Sequence, residues 1–264
     1  MEPPSSLPAM LLLLLCSGAA AFRICAFNAQ RFAQGKVNKP RVVDILVKIL
    51  ARCDISVLQE VMDAKGKAVP ALMNALHQFD DLHSYSYLTS PLLGRGNYQE
   101  RYVYIYRNQK TQILDYYTYE DMHPDRPDVF AREPFIARFS MANKELPELV
   151  LIPQHTMPSK AEAEIDALYD VFLNVQERWA TETVDMWPRN VGKTSACVRN
   201  LAFIGSLGTK LTPLFERRPT ALEISDHYPV EVELVSSCKK LQPASLAGLV
   251  LLIIVVISDS RCDI

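Results

Sequence analysis

The sequence predicts a layered α/β fold, a β-sheet scaffold with helices packed against it. Three observations carry this. Runs 22–27 and 149–153 are nearly all apolar, as strands buried on both faces are. Runs 42–50 and 165–175 place their apolar residues on one helical face. The two kinds of run are interspersed along the chain, and stacking sheets beneath helices buries both. With 264 residues, 49% hydrophobic and 22% charged, the chain can form one large domain or two small ones.

In chain order, 22–27 reads as a buried strand. Lys39-Pro40 opens a helix, since proline suits the first turn, and Val42, Val43, Ile45, Leu46, Ile49 and Leu50 follow at helical spacing. Residues 54–61 form an apolar strand ending in Gln59-Glu60, and 66–79 a second amphipathic helix. Three strand candidates with alternating aromatics follow at 84–90, 100–106 and 111–117, then two more at 135–140 and 149–153. A long helix spans 161–179, with Ile165, Leu168, Val171, Phe172 and Val175 on one face. From Asp185 to Thr220 the pattern changes. This stretch holds six Lys or Arg, two acids and three of the nine glycines, and only 201–204 resembles a strand. Order returns at 221–230, followed by a strand over 230–235.

Both ends read as processing or targeting segments. The apolar run 10–15 precedes Ala19-Ala20-Ala21, which fits an A-x-A cleavage site, so 1–21 is a signal peptide and the mature chain begins near Phe22. This implies the secretory pathway, with a secreted, cell-surface or endoplasmic-reticulum-membrane destination. The second apolar run, 246–257, follows a polar spacer at 236–243; the region 236–264 suits a glycolipid-anchor signal or membrane tether, or else a free hydrophobic tail. Six cysteines are too few for a disulfide-built scaffold. Cys25 and Cys53 lie in apolar runs, where buried free thiols are the default.

A formal net charge of −2 excludes a broadly cationic nucleic-acid binder; DNA would be handled by a local basic face and a metal ion. Phosphodiester hydrolysis needs a bound cation, an activated water, a proton source and neutralisation of phosphate charge. Carboxylates can hold a hard cation such as Mg²⁺, and histidine can shuttle protons. Asn28, Glu60 and His155 each stand at a strand's end, and Asp226-His227 precede a strand. One such residue is ordinarily structural; the repetition marks a site. By contrast, Val191-Gly192-Lys193-Thr194 lacks the upstream glycine of a phosphate-binding loop, with Trp187 in its place.

The segments Phe27-Asn28-Ala29-Gln30-Arg31-Phe32, Leu58-Gln59-Glu60-Val61, Asn97-Tyr98-Gln99-Glu100-Arg101-Tyr102, Arg132-Glu133-Pro134, Pro153-Gln154-His155-Thr156 and Ser225-Asp226-His227-Tyr228-Pro229-Val230 resemble the deoxyribonuclease I family. The resemblance implies a four-layer sandwich of two packed mixed β-sheets flanked by helices over 22–235. It implies a DNA endonuclease using Mg²⁺ or Mn²⁺, with Ca²⁺ as a structural ion. Glu60 would be a metal ligand, with Asn28 and Asp226 beside it. Glu100 and His155 would form a carboxylate–histidine pair, and His227 would be the second catalytic histidine. Tyr98, Arg101 and Arg132 would contact DNA. No protein partner is implied. A phosphodiesterase of the same fold acting on another phosphate ester is the competing enzyme.

The chain departs from the family in its second half. Relatives carry a Gly-Asp-Phe-Asn turn after the long helix and a Tyr-Asp-Arg strand, and neither motif is present here. Residues 185–220 read as foreign text, such as an alternative splice or shifted frame produces. Two consequences are expected: an incomplete second half whose neighbouring strands lack backbone partners, and a weak or inactive nuclease.

Overall fold

The computed structural model describes residues 22–142, 147–179, 202–204, 211–213, 224–225, 230–234 and 249–257. In order, these form β1 (Phe22–Phe32), α1 (Gln34–Val37), α2 (Pro40–Leu50), β2 (Ile55–Val61), α3 (Ala68–Phe79), β3 (Tyr85–Thr89), β4 (Arg101–Arg107), β5 (Thr111–Thr118), β6 (Phe135–Met141), β7 (Glu148–Thr156), a 3₁₀ turn (Pro158–Lys160), α4 (Ala161–Trp179), β8 (Ala202–Ile204), β9 (Leu211–Pro213), β10 (Val230–Leu234) and β11 (Leu249–Ile257). The expected signal peptide 1–21, the polar stretch 236–243 and most of 185–220, including Lys193 and its neighbours, lie outside the described residues.

Two sheets form, ordered β3-β4-β2-β1-β10-β9 and β5-β6-β7-β11-β8. Both are mixed: β1 pairs parallel with β2 and antiparallel with β10, while β7 pairs parallel with β11 and antiparallel with β6. Side chains alternate between faces along a strand. Ile24, Ala26, Val57, Tyr102 and Tyr104 therefore meet Phe135, Ala137, Phe139, Leu149 and Leu151 between the sheets. The opposite face of the first sheet, including Phe27, Leu58, Val103 and Ile105, packs against Leu46, Leu50 and Leu72 of α2 and α3. Ile136, Val150 and Ile152 of the second sheet pack against Leu168, Val171 and Val175 of α4. Helix, sheet, sheet, helix is the expected four-layer sandwich.

Local chemistry shifts some boundaries. Helix α3 starts at Ala68 rather than at 66 because Gly66 has φ +64°, outside the helical region, and the Asp63 carboxylate accepts from the free amides of Lys67, Ala68 and Val69. Strand β1 runs past Phe27 to Phe32 through a bulge between Asn28 and Phe32. Cys25 and Cys53, expected as free thiols, form a disulfide that joins β1 to the turn before β2. Periodicity detects burial, which both residues have, but not the 5.9 Å Cα–Cα approach that permits the bond. Glu231 lies beside the pair, but with the sulfurs bonded to each other the trio offers no metal site.

The expectation of unpaired neighbours also fails at β7. Strand β11, drawn from the apolar C-terminal run, lies along it in continuous register.

Candidate active site

Topology brings the polar groups to one edge. Strands β1 and β2 are parallel, so the Asn28 bulge and Glu60 lie at the same end. Strand β4 runs antiparallel to β2, with Val61 opposite Arg101, so Glu100 enters at that end too. Glu100 sits at the base of a loop closed by two backbone hydrogen bonds of 2.8 Å with Leu93. The end of β7 joins through the Tyr102 hydroxyl, which accepts from the His155 amide at 2.8 Å. Burial and the nearby Glu100 push the Tyr102 phenol well above its ordinary range.

The central pair is Glu100 and His155, 1% and 2% exposed, with Nδ1 to Oε1 at 2.6 Å. A carboxylate accepts the Nδ1–H, which fixes the tautomer and turns Nε2 toward Glu60 Oε1, 3.6 Å away. Arg132 Nε approaches the same Glu100 oxygen at 3.1 Å, and its Nη1 donates to the His155 carbonyl at 3.2 Å. Among the described residues, His155 Nε2 and Glu100 Oε2 are buried without a hydrogen-bond partner. Such atoms are costly unless a ligand completes them.

Glu60 is held by its surroundings. Its Oε1 accepts from Asn28 Nδ2 at 2.7 Å; its Oε2 accepts from the Arg31 amide at 3.1 Å and the Tyr98 hydroxyl at 3.3 Å. Burial, then the fields of Glu60 and Glu100, push the Tyr98 phenol up to about 12, so it remains a neutral donor. Arg132 lies over the Tyr98 ring at 5.4 Å. Gln30, Arg31 and Glu60 have positive φ of 41°, 55° and 53°. Backbone in this region costs about 1–3 kcal/mol per residue and persists where the surroundings over-determine it.

These residues suit a hard cation. Glu60 is a buried carboxylate that no Lys or Arg side chain among the described residues pairs with, and buried charges are otherwise paired or metal-bound. Glu60 with Asn28 offers the oxygen ligands that Mg²⁺ or Mn²⁺ takes. Such an ion would supply charge neutralisation for a phosphate. His155 would hold or release a proton at Nε2, Glu100 would orient the ring, and Arg132 would place positive charge beside both.

Of the expected residues, the structure gathers Asn28, Glu60, Tyr98, Glu100, Arg132 and His155. Arg101 turns elsewhere, donating to the Ser90 carbonyl at 2.6 Å. Asp226 and His227 lie outside the described residues. Ser225, adjacent to Asp226 in sequence, donates to the Asn28 carbonyl at 2.7 Å, and Lys36 Nζ donates to the carbonyls of Ala29 and Ile224.

Sequence reasoning missed a layer beneath the pair. Gln154 Nε2 donates to Glu164 Oε2 at 2.7 Å, the Met157 amide donates to Glu164 Oε1 at 3.1 Å, and Gln59 Nε2 donates to the Gln154 carbonyl at 3.4 Å. Burial raises the Glu164 carboxyl against the hydrogen bonds that favour its charge. A signal existed: Glu164 shares the stripe of Leu168, Val171 and Val175 on α4, a carboxylate on an apolar face.

Residues 25–184 match the Endonuclease/Exonuclease/phosphatase family. Proteins named Deoxyribonuclease-1-like 1 are similar along nearly the whole chain. The Sus scrofa protein is 44% identical, covering 92% of this chain and 90% of its own, and the Homo sapiens protein 42%, covering 96% and 97%. Deoxyribonuclease-1 of Sus scrofa is 33% identical, covering 82% and 92%. The chain belongs to the endonuclease/exonuclease/phosphatase family, in its deoxyribonuclease I branch. The first of these alignments runs to 289 positions, longer than the 264 residues of this chain, so this family member carries gaps against its relatives. Solved structures agree on the fold. TDP2 from Caenorhabditis elegans has a TM-score of 0.52 at 11% identity, covering 88% of this chain and 80% of that one. An endonuclease/exonuclease/phosphatase from Bacteroides vulgatus scores 0.51 at 14%, covering 82% and 100%.

Proposed function

We propose that this chain is a divalent-cation-dependent endonuclease that hydrolyses phosphodiester bonds of DNA, slowed by the motifs it lacks. The observation that carries the reading is the buried Glu100–His155 pair facing Glu60, with one imidazole nitrogen making no hydrogen bond among the described residues. Arg132 and Tyr98 beside it supply a cation and an aromatic face for the nucleic acid backbone. Glu60 and Asn28, joined by Asp226, are assigned to Mg²⁺ or Mn²⁺, and His227 to the second proton-transfer role. Ca²⁺ is assigned a structural role. The missing Gly-Asp-Phe-Asn and Tyr-Asp-Arg groups account for the slowing, since one acid–base element contributes about 10²–10⁴-fold.

The protein is assigned to the secretory pathway, with its mature chain beginning near Phe22. The Cys25–Cys53 bond supports an oxidising compartment. A membrane tether through the C-terminal run would draw on the same residues that pair with β7. Among the described residues no helix is long and apolar enough to cross a membrane.

Plasmid nicking by the mature protein with Mg²⁺ and Ca²⁺, beside Glu100→Gln and His155→Ala, tests the activity. Cleavage about 10²-fold or more above both variants, abolished by a chelator, is the expected result. Cleavage no greater than theirs would mean a catalytically inactive member of the fold. A panel of phosphoinositide and other phosphate monoesters and diesters separates DNA from the alternative substrates.

A further inference from the structure

Strand β7 carries His155 at its penultimate position and is buried along its length: Leu149, Val150, Leu151, Ile152 and Gln154 are each 0% exposed. One side pairs with β6. On the other side, all nine residues of β11 pair in parallel, from Leu249 opposite Glu148 to Ile257 opposite Thr156. Strand β8 then covers the far side of β11, with Ile253 opposite Ile204 and Val255 opposite Ala202. Without β11, the amides and carbonyls along one side of a buried strand would have no ladder partner. That is costly, and it would leave a long apolar edge open to another chain.

We infer that the C-terminal apolar run is a complementing strand of the catalytic fold, occupying the slot beside β7 and holding the strand that presents His155. Its dimensions suit that role. The nine residues of β11 extend ~30 Å as a strand, the full length of β7, whereas the whole run 246–257 would span only ~18 Å as a helix, well short of the ~30 Å hydrocarbon core of a bilayer. Its direction suits it too, because a parallel neighbour must return by a long crossover, and the chain between α4 and β11 is ample for one. Sheet and membrane then compete for the same residues, and insertion of 249–257 into a bilayer requires withdrawal from β7.

Amide hydrogen exchange on the mature chain in lipid-free buffer reads this directly. Amides of 249–257 should be protected to the same degree as those of 149–155, and the two segments should exchange together. Tail amides exchanging at unfolded rates beside a protected β7 would overturn the inference. In a second arm, Leu251→Pro with Ile253→Pro removes ladder donors. Protection of 149–155 should fall at least about tenfold while 24–28 and 55–60 keep theirs. Unchanged β7 protection in a variant whose tail is released would equally overturn it. If the variant does not fold, the intact chain still decides. With phosphatidylcholine vesicles, tail insertion should coincide with loss of β7 protection, and insertion with β7 still protected would contradict the competition. None of these readings involves DNA cleavage, so the inference stands or falls apart from the nuclease assignment.

Discussion

The two sheets solve the same problem at different sequence distances. Each has a central strand carrying site residues and needs a parallel neighbour beside it. In the first sheet, β2 reaches β1 through the short crossover of α2, and the Cys25–Cys53 bond closes the unit covalently. In the second, α4 follows β7, yet the parallel neighbour is β11, at the far end of the chain. Nearby pairing is cheap in chain entropy; a distant partner must close a longer loop, though the extra cost grows only as the logarithm of its length. A sheet can therefore accept a substitute strand from far away, provided the substitute is apolar, long enough and correctly directed.

Cutting the covalent closure should have the largest effect. Replacing Cys25 and Cys53 with serine should lower unfolding free energy by about 3 kcal/mol, read by urea denaturation under oxidising conditions. Equal stability of variant and parent would mean that the first sheet owes nothing to its bond, and the contrast between the sheets would weaken. A smaller effect is expected at the loop that delivers Glu100 from the first-sheet side. Gly94 has φ +123°, and a Cβ there would collide with the Tyr98 carbonyl. Gly94→Ala should cost about 1–3 kcal/mol and weaken DNA binding by displacing Tyr98, measured by thermal unfolding and fluorescence anisotropy. Unaltered binding would detach Tyr98 from recognition.

The smallest effect probes the second-sheet side and depends on pH. Burial raises the Glu164 carboxyl above its ordinary 4.5, so the folded chain binds that proton more tightly than the unfolded chain. The stability this contributes is complete below 4.5 and is lost as pH rises through the raised value. Glu164→Gln removes that dependence. Its deficit, on the order of 1 kcal/mol from the hydrogen bonds to Gln154 and Met157, should be largest near about pH 4 and shrink toward about pH 7. A deficit that grows with pH, in urea titrations at the two values, would show the carboxylate to be favoured by its site instead.

Much of this was legible in the residues. The apolar strands, the stripes of α2 and α4 and the four-layer packing follow from periodicity, and the motifs around Glu60, Glu100 and His155 marked the site before its geometry was known. What stayed hidden were contacts between residues far apart in sequence. Nothing local to Cys25 says that Cys53 lies opposite it. Nothing in Arg101 says that it turns to Ser90 while Arg132 turns to Glu100. The apolar tail was hardest, because composition alone suits a bilayer and a sheet equally and says nothing of a register with β7.

The position of β11 in the gene's reading order matters for how the molecule is made. Chains fold as they emerge, N-terminal parts first, at about 5–20 residues per second. The Cys25–Cys53 unit can be finished early, but β7 must wait on the order of ten seconds for the last-synthesised strand. Throughout that interval the newborn protein offers one long sticky flank to whatever it meets, so chaperone supply and polypeptide crowding during synthesis should govern its yield more than any property of the finished molecule.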